Sequence, residues 1–482
     1  MVSQQIPSLL KQLMVFIKRD VLSKLANQQY MVVNLLLAPV LALFIAYFVK
    51  YYDAVGVANP HYTFYHNNNI PVYFFMSVVV SLFVGLIISA EEIFKDRKIL
   101  KRERYLNLSK GSYLASKVVI LFTLSAVQTV MFVLVGNAIL EIPLTEMRYW
   151  LILFSCTCLA NMMGLNISSA FDSAVTIYIL IPILIIPQLL LSGVVISFDK
   201  FNPKVGSPKS IPVLGETMAS RWAFEAYMVT QFRDNRLEKQ FYDIDREVAM
   251  ADYKIRYYVP TLSSKLAEVI NNRSQWRNRN ANNPVSKSLE LLRSELQHEI
   301  AQFPDDKFPQ IDKLAVGKFD SATYVKTNEF LNLLKQYYNV KLARASRERE
   351  QMVAQMTDTP EKAAQFNEMR NLYENEAVTA MVEHTTDLVR IVEWDGELLQ
   401  KIYPIYNEEQ RPNGPLDFRS EFYSPVKHLF GTKFNTLYFN IGVIWFMTFG
   451  AFITLYFDVL GRLVNSVEMW KKYRRRFVKL ES

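Results

Sequence analysis

Long stretches without a single charged side chain recur along this chain, and shorter polar segments separate them. A helix of about 20 apolar residues spans the hydrocarbon core of a bilayer, and soluble cores rarely require charge-free runs of this length. Asp, Glu, Lys and Arg are absent from the windows 25–49, 54–90, 118–140, 149–171, 173–198 and 434–457. The pattern therefore predicts six transmembrane helices, at about 29–49, 70–90, 117–140, 149–171, 174–197 and 435–460.

Residues 232–433 break this pattern, because they are rich in charged and amide side chains and contain no apolar run of spanning length. Apolar residues recur at spacings of three and four in 286–303 and 324–356, which predicts amphipathic helices. Thr359 followed by Pro360 suits the start of a third helix, continuing through about residue 399. We expect a small, mostly helical domain inserted between the fifth and sixth spans.

The distribution of charge predicts the orientation of the spans. The chain of 482 residues has a formal net charge of +8, whereas 232–433 holds 29 Lys and Arg against 31 Asp and Glu. The basic excess therefore lies beside the spans, chiefly in 90–117 and in the tail at 471–479. The positive-inside rule places both segments in the cytoplasm. We expect a multi-pass inner-membrane protein with both termini cytoplasmic and the insert outside, and no nucleic-acid partner.

The first residues predict a helix that lies on the membrane. Residues 5–26 mix apolar and basic positions, with Leu9, Leu13 and Ile17 near one helical face, and they contain no small-residue cleavage site. An ordinary cytosolic helix is the alternative. The predicted organisation is an interfacial helix (1–28), five spans (29–231), a helical external domain (232–433), and the sixth span with a basic tail (434–482).

The segment 90–117 carries a recognisable order of residues: Glu92, Phe94, Arg102-Glu103, Gly111-Ser112-Tyr113 and Lys117. It resembles the segment after the second span in the ABCG-like branch of the ABC-2 type exporters. In that family the segment is a coupling helix that docks on the nucleotide-binding domain. The resemblance implies a coupling helix at about 91–112. A snorkelling basic loop that only sets orientation is the alternative. The candidate contacts with the ATPase are Arg97, Lys98, Arg102 and Glu103.

A second stretch resembles the same family at the outer end of the fifth span. Ser192-Gly193-Val194-Val195 and Ser220-Arg221-Trp222-Ala223-Phe224 match its order. The resemblance implies that Val194 and Val195 form an apolar valve and that about 198–231 is re-entrant. It extends over about residues 5–231 and 432–470. The insert is longer than the usual external loop of the family and lacks the cysteines that such loops often carry.

Other chemistry is not indicated by the sequence. There is no GxxxxGK[ST] phosphate loop, so ATP and Mg²⁺ would be bound by a partner ATPase, in a separate subunit or in a longer chain. No charge lies deep in a predicted span, which disfavours a proton-coupled carrier. Intramembrane amides can either join helices or line a pathway. They are Gln128, Asn161, Asn166 and Gln188. We find no catalytic set, cofactor site or metal site.

These observations predict an all-α membrane protein of ABC-2/ABCG-like type. The expected function is the permease of an ATP-driven exporter of an amphipathic or lipid-like substrate, with a second permease half, most simply a homodimer, in the bilayer. A periplasmic adaptor could dock on 232–433. The alternatives are a scaffold that presents the helical domain to envelope partners, and a secondary carrier. Candidate cavity-lining residues on the second and fifth spans are Phe75, Phe83, Thr176, Tyr178 and Ile181.

Overall fold

The computed structural model describes residues 8–52, 61–103, 109–143, 147–202, 204–209, 211–276, 283–300, 310–408, 414 and 417–466. The structure is mostly helical, with 75% helix and 4% strand. The basic tail at 471–479 and residues 104–108 of the expected coupling segment lie outside the described residues. Two compact units make up the chain. The first comprises Met1–Phe201, Pro212–Thr230 and Asn435–Ser482, and the second Asn202–Ile211 and Gln231–Phe434.

The first unit contains the helices that the apolar windows predict. In chain order they are α1 (Leu9–Ala26), α2 (Gln28–Val49), α3 (Ile70–Ala90), α4 (Glu92–Glu103), α5 (Lys110–Leu140), α6 (Met147–Ala170), α7 (Ala174–Leu190), α8 (Val213–Glu216), α9 (Ala219–Arg233) and, after the second unit, α16 (Thr436–Tyr456). Polar side chains mark several of their starts. Ser8, Asn27 and Ser109 each accept a backbone N–H bond of the first turn that follows, which satisfies a donor that no helix can satisfy itself.

Among the described residues, five helices are long and apolar enough to cross a bilayer: α2, α3 with its extension into α4, α5, α6 and α16. The expected fifth span is shorter than the window 174–197, because α7 ends at Leu190 after 17 residues. Gly193 follows at φ +81°, where a Cβ would lie 2.3 Å from the Phe198 ring. A left-handed backbone in such close contact requires glycine and ends the helix. The number of six spans stays a prediction.

The centre of the first unit is the packing of α3 on α6, which small residues allow. A Cβ on Gly85 would lie 2.7 Å from the Cβ of Ala160 and 2.7 Å from the Thr157 carbonyl oxygen. Backbones that approach this closely gain dispersion contacts that lipid cannot replace. Most residues of both helices are consequently buried.

The second unit is helical with two small hairpins. Its helices are α10 (Glu238–Tyr253), α11 (Val259–Asn271), α12 (Pro284–Ile300), α13 (Ser321–Met356), α14 (Pro360–Tyr373) and α15 (Glu376–Glu383), and its strands are β1 (Ile391–Trp394), β2 (Glu397–Gln400), β3 (Val426–Leu429) and β4 (Thr432–Asn435). A π-helical turn, Lys254–Tyr258, joins α10 to α11. Apolar faces of α11, α12 and α13 form the core, with Leu262, Leu292 and Leu331 fully buried. The placement of 232–433 outside the membrane stays a prediction.

The expected third helix of the insert is right at its start and wrong in its extent. Thr359 accepts the Lys362 N–H as N-cap and Pro360 is the first helical residue, but α14 ends at Tyr373. Residues 391–400 instead form the antiparallel pair β1–β2, with Trp394 opposite Glu397. Asp395 and Gly396 between them have φ +50° and +76°. This is the two-residue Asp-Gly turn whose twist matches that of paired strands.

Candidate functional site

A buried ammonium group lies at the meeting point of three helices of the first unit. Lys117 on α5 is 3% exposed, and its Nζ lies 3.0 Å from Asp20 on α1 and 3.1 Å from Glu92 on α4. Asp96, one turn further along α4, is 2.8 Å away. Lys24 of α1 forms a second ion pair with Glu92. We refer to these five residues as the Lys117 cluster.

Helical spacing explains why these residues converge. Asp20 and Lys24 are four positions apart, as are Glu92 and Asp96 on α4, so each pair lies on one face of its helix. Two tyrosines complete the arrangement, since Tyr30 donates to Glu92 at 3.2 Å and Tyr113 donates to Asp96 at 3.0 Å. Buried charges are tolerated only when they are paired and hydrogen-bonded in this way. The Lys117 cluster therefore fixes α4 to α1 and α5.

The first turn of α4 is also attached to α6. The Ser168 hydroxyl oxygen accepts the backbone N–H groups of Ile93 and Phe94, both at 3.0 Å. These N–H groups belong to the helix start and have no partner within the helix. Arg97 donates to the Ser168 and Ser169 carbonyl oxygens, at 3.2 and 2.6 Å. α4 is thus bound on both sides within the unit.

The four expected coupling residues do not share one environment. Arg97 is 23% exposed and forms an ion pair with Asp172 in the turn between α6 and α7, so its guanidinium serves contacts within the chain. Lys98 and Arg102 are exposed on α4. Glu103 is the last residue of α4, and its side chain lies outside the described part of the structure. Their contact with an ATPase stays a prediction.

The expected valve residues lie in the turn that follows α7. Val194 is half-buried and its N–H bonds to the Ser192 hydroxyl at 3.2 Å, while Val195 is 58% exposed. The closely packed Gly193 and Phe198 fix this turn. Its two valines therefore sit at the end of α7 on a constrained backbone.

The expected cavity residues divide into two groups. Phe75 and Ile181 are buried inside the single chain, at 5% and 3% exposure. Phe83 and Tyr178 are exposed, at 39% and 47%, and Thr176 is intermediate. The exposed members lie on α3 and α7, two helices that pack on each other. Of the five expected residues, only Phe83, Thr176 and Tyr178 are therefore accessible to lipid, substrate or another chain.

The four intramembrane amides all bond to other helices. Gln128 donates to the Asn34 carbonyl oxygen at 2.6 Å, and Asn161 donates to the Ser125 hydroxyl at 2.7 Å. Asn166 donates to the Ala451 carbonyl oxygen at 2.8 Å. Gln188 accepts the Ser220 N–H at 3.0 Å. Amides in apolar surroundings commonly form such contacts, and these join helices of the first unit to one another.

A second buried charged group was not expected from the sequence. Arg221 and Glu225 on α9 are 1% and 0% exposed, and their closest charged atoms are 3.5 Å apart. Glu216 lies 3.2 Å from Arg221, and Asn440 of α16 donates to Glu225 at 2.9 Å. The two charges at spacing four within the largely apolar stretch 219–229 are a visible signal in the sequence. This group ties α9 to α16.

No cluster of metal-ligating side chains accompanies these groups within the described residues. No group of three or more His, Cys, Asp or Glu side chains there could hold a metal ion. Cys156 and Cys158 are both buried and unpaired with each other as a disulfide. The arrangement provides mechanical connections, because buried ion pairs and hydrogen bonds join α4 and α9 to the apolar helices.

The resemblance stated from the motifs is confirmed over nearly half of the chain. Residues 11–232 match the family model described as ABC-2 type transporter. No curated protein matches the chain. The matched region begins in α1 and ends in α9, so it includes the Lys117 cluster, the turn that follows α7 and the Arg221–Glu225 pair. Residues 11–232 of this multi-pass membrane protein are therefore similar to the membrane domain of ABC-2 type transporters.

Proposed function

We propose that this chain is the membrane half of an ATP-driven exporter that moves an amphipathic or lipid-like substrate outward across the cytoplasmic membrane. ABC-2 permease domains work with ATPase partners and usually dimerise. The permease is a non-catalytic component, and ATP and Mg²⁺ act on it through the ATPase. A second copy of this chain completes the transport unit.

The observation that carries the proposal is the attachment of α4. A short helix that transmits motion must be rigidly bound on the membrane side and accessible on the other. The Lys117 cluster and the Ser168 contacts bind α4 to α1, α5 and α6, while Lys98 and Arg102 remain exposed. Movement of α4 would therefore displace the spans with it. An apolar pocket beside α4 is lined by Ile93, Leu100 and Leu114 among others, and it gives the ATPase a further contact surface.

The substrate path runs along α3 and α7 in this proposal. Phe83, Thr176 and Tyr178 face the cavity between two copies, and Phe75 and Ile181 support them from inside each chain. Aromatic and aliphatic walls suit an amphipathic or lipid-like cargo. Val194 and Val195 close the path towards the outside by apolar contact with their counterparts in the second copy, and they separate when ATP closes the ATPase dimer.

The insert docks an extracytoplasmic adaptor in this scheme, a role that rests on its predicted position between the last two spans. Both termini then lie in the cytoplasm. Deleting 240–420 should abolish adaptor capture while the spans still assemble. Full export by the deletion variant would refute the adaptor role and leave the permease role intact.

The proposal is tested by purifying the native full-length product in mild detergent and measuring co-purified proteins and ATPase activity. We expect an ABC ATPase to be present, with weaker association or turnover in a Lys98→Glu/Arg102→Glu variant. Lys335→Glu, an exposed lysine of α13, is the matched control and should have no effect. If neither a bound nor a fused ATPase is found, the exporter proposal fails. A scaffold that presents the helical domain to envelope partners is then the better interpretation.

A further inference from the structure

A polar cavity lies in the second unit, between the β1–β2 hairpin and the helices that pack on it. Its volume is about 380 Å³, within the range of small-molecule sites, about 300–1,000 Å³. The π-helical turn Lys254–Tyr258 forms part of the wall. Single π-helical turns are rare and are frequent at functional sites, because the extra residue redirects side chains.

The wall of this cavity is acidic. It contains three cationic side chains, those of Lys209, Lys254 and Arg419. It contains five carboxylates, those of Glu295, Asp395, Glu397, Asp417 and Glu421. Lys401, behind the wall, lies 3.7 Å from Glu421 and offsets one of them. A concave surface with an excess of carboxylates raises the local concentration of cations and disfavours anions.

Aromatic rings accompany the carboxylates. Tyr253 and Tyr258 belong to the helical wall, and Trp394 lies at the hairpin tip with 45% of its surface exposed. Asp395 follows Trp394 in the turn and is exposed as well. The face of an aromatic ring attracts ammonium groups, most strongly for Trp, and carboxylates beside the ring add hydrogen-bond acceptors.

The protein's own lysines show how this wall receives an amine. The Lys254 Nζ lies 3.7 Å from the ring centroid of Tyr258 while it forms an ion pair with Glu299. The Lys209 Nζ lies 2.8 Å from Glu397. The Lys254 ammonium is thus shared between a ring of the wall and a carboxylate, and the Lys209 ammonium is held by a carboxylate of the wall.

The floor is rigid. Glu295 is fully buried, and its two oxygens accept from the Tyr258 hydroxyl at 3.0 Å and from the Leu398 N–H at 2.9 Å. These bonds connect α12 to the π-helical turn and to β2. A preformed wall lowers the ordering cost of binding.

We propose that this cavity binds a protonated aliphatic amine, with the ammonium group over the Trp394 ring and beside the Asp395 carboxylate. The amine is either a free diamine or the lysine side chain of a peptide, since both present the same chemistry. This inference does not depend on ATP coupling or on transport.

Calorimetric titration of the purified full-length chain tests it. Cadaverine should bind with a Kd below about 1 mM, and pentanediol and glutarate, which match its length, should bind at least about tenfold more weakly. An end-blocked Gly-Lys-Gly peptide, compared with its norleucine analogue, distinguishes a peptide source from a free amine. Because the site is charged, binding should weaken as salt is raised.

Variants locate the site. Asp395→Asn and Trp394→Leu change exposed side chains, and each should weaken cadaverine binding at least about fivefold without a change in melting temperature. Asp358→Asn, an exposed carboxylate in the turn before α14, is the matched control and should bind like the wild type. The proposal is overturned if pentanediol or a neutral sugar binds as well as cadaverine, or if no amine binds below about 10 mM. Wild-type affinity in both cavity variants overturns it equally.

Discussion

Lys117 on α5 and Glu92 on α4 form a buried ion pair, with 3.1 Å between Nζ and Oε2 and side-chain exposures of 3% and 7%. The two residues are 25 positions apart in the sequence. Asp20, Asp96 and Lys24 share the same charge network. The pair is thus one of the points at which α4 is attached to the rest of the first unit.

Removing one partner of this pair should destabilise the first unit strongly. Lys117→Met leaves Asp20, Glu92 and Asp96 close together in a buried site, and uncompensated buried charge typically costs about 3–5 kcal/mol. The measurement is thermal unfolding in detergent. Lys18→Met, which changes an exposed lysine of α1, should leave the melting temperature unchanged.

The double variant Glu92→Gln/Lys117→Met separates the ion pair from general damage. Because both partners are neutral, it should recover part of the stability that Lys117→Met loses. Strictly additive losses would show that the two side chains do not interact.

The close packing of α3 on α6 predicts sensitivity at Gly85. The added methyl group of Gly85→Ala would meet Ala160 and the Thr157 carbonyl at 2.7 Å, so the helices must separate. We expect a loss of about 1–3 kcal/mol, as for overpacked cores. Gly442→Ala on α16 is the matched control, because nothing lies within 4 Å of its added Cβ. Equal stability of the two variants would contradict the packing described here.

A group of carboxylates in the second unit predicts a dependence of stability on pH. Burial, followed by the charges of Glu374 and Asp245, raises the pKa of Glu238 to about 8. Burial also raises the pKa of Glu383 to about 7. The folded state then binds protons that the unfolded state has released, so this contribution is complete below about pH 4.5 and is lost as pH rises through 7 and 8.

Melting temperatures of the full-length chain between pH 5 and pH 9 measure this effect, with Glu238→Gln as the test variant. Glu238→Gln should fall less steeply with pH than the wild type and be the more stable protein above pH 8. Glu361→Gln, an exposed carboxylate of α14, should follow the wild-type curve. A wild-type melting temperature that increases from pH 6 to pH 8 at this unit would be inconsistent with the raised pKa values.

The spans could be predicted from sequence because a charge-free apolar window is a local property. The bounds of α2, α3 and α6 lie within two residues of the expected ones. The end of α7 was missed, since it depends on the contact between Gly193 and Phe198. The hairpin at 391–400 differs from the predicted helix. Asp395-Gly396 is a strong local turn signal, but the helical spacing of apolar residues continues from 360 to about 399 and predicts a helix there.

The candidate site was predictable only in part. Glu92, Tyr113 and Lys117 belong to the family pattern in the sequence. In the structure Lys117 pairs with Glu92, and Tyr113 donates to Asp96 of the same cluster. Asp20 lies 97 positions from Lys117, and nothing local indicates which helix faces which. The same holds for Asn440 and Glu225, which are 215 positions apart. Charge pairs at spacing four were visible on each helix, but their partners are set by tertiary packing.

Site-specific crosslinking from α4 in intact cells tests the central claim most directly. A photoreactive group is attached at Lys98→Cys, and the crosslinked proteins are identified by mass spectrometry; the native cysteines, Cys156 and Cys158, are buried and should not react. The account predicts a crosslink to an ABC ATPase whose yield changes with ATP, and none from Lys335→Cys in α13. Crosslinks from Lys98→Cys to lipid or other proteins alone, in cells where the chain is folded, would contradict it.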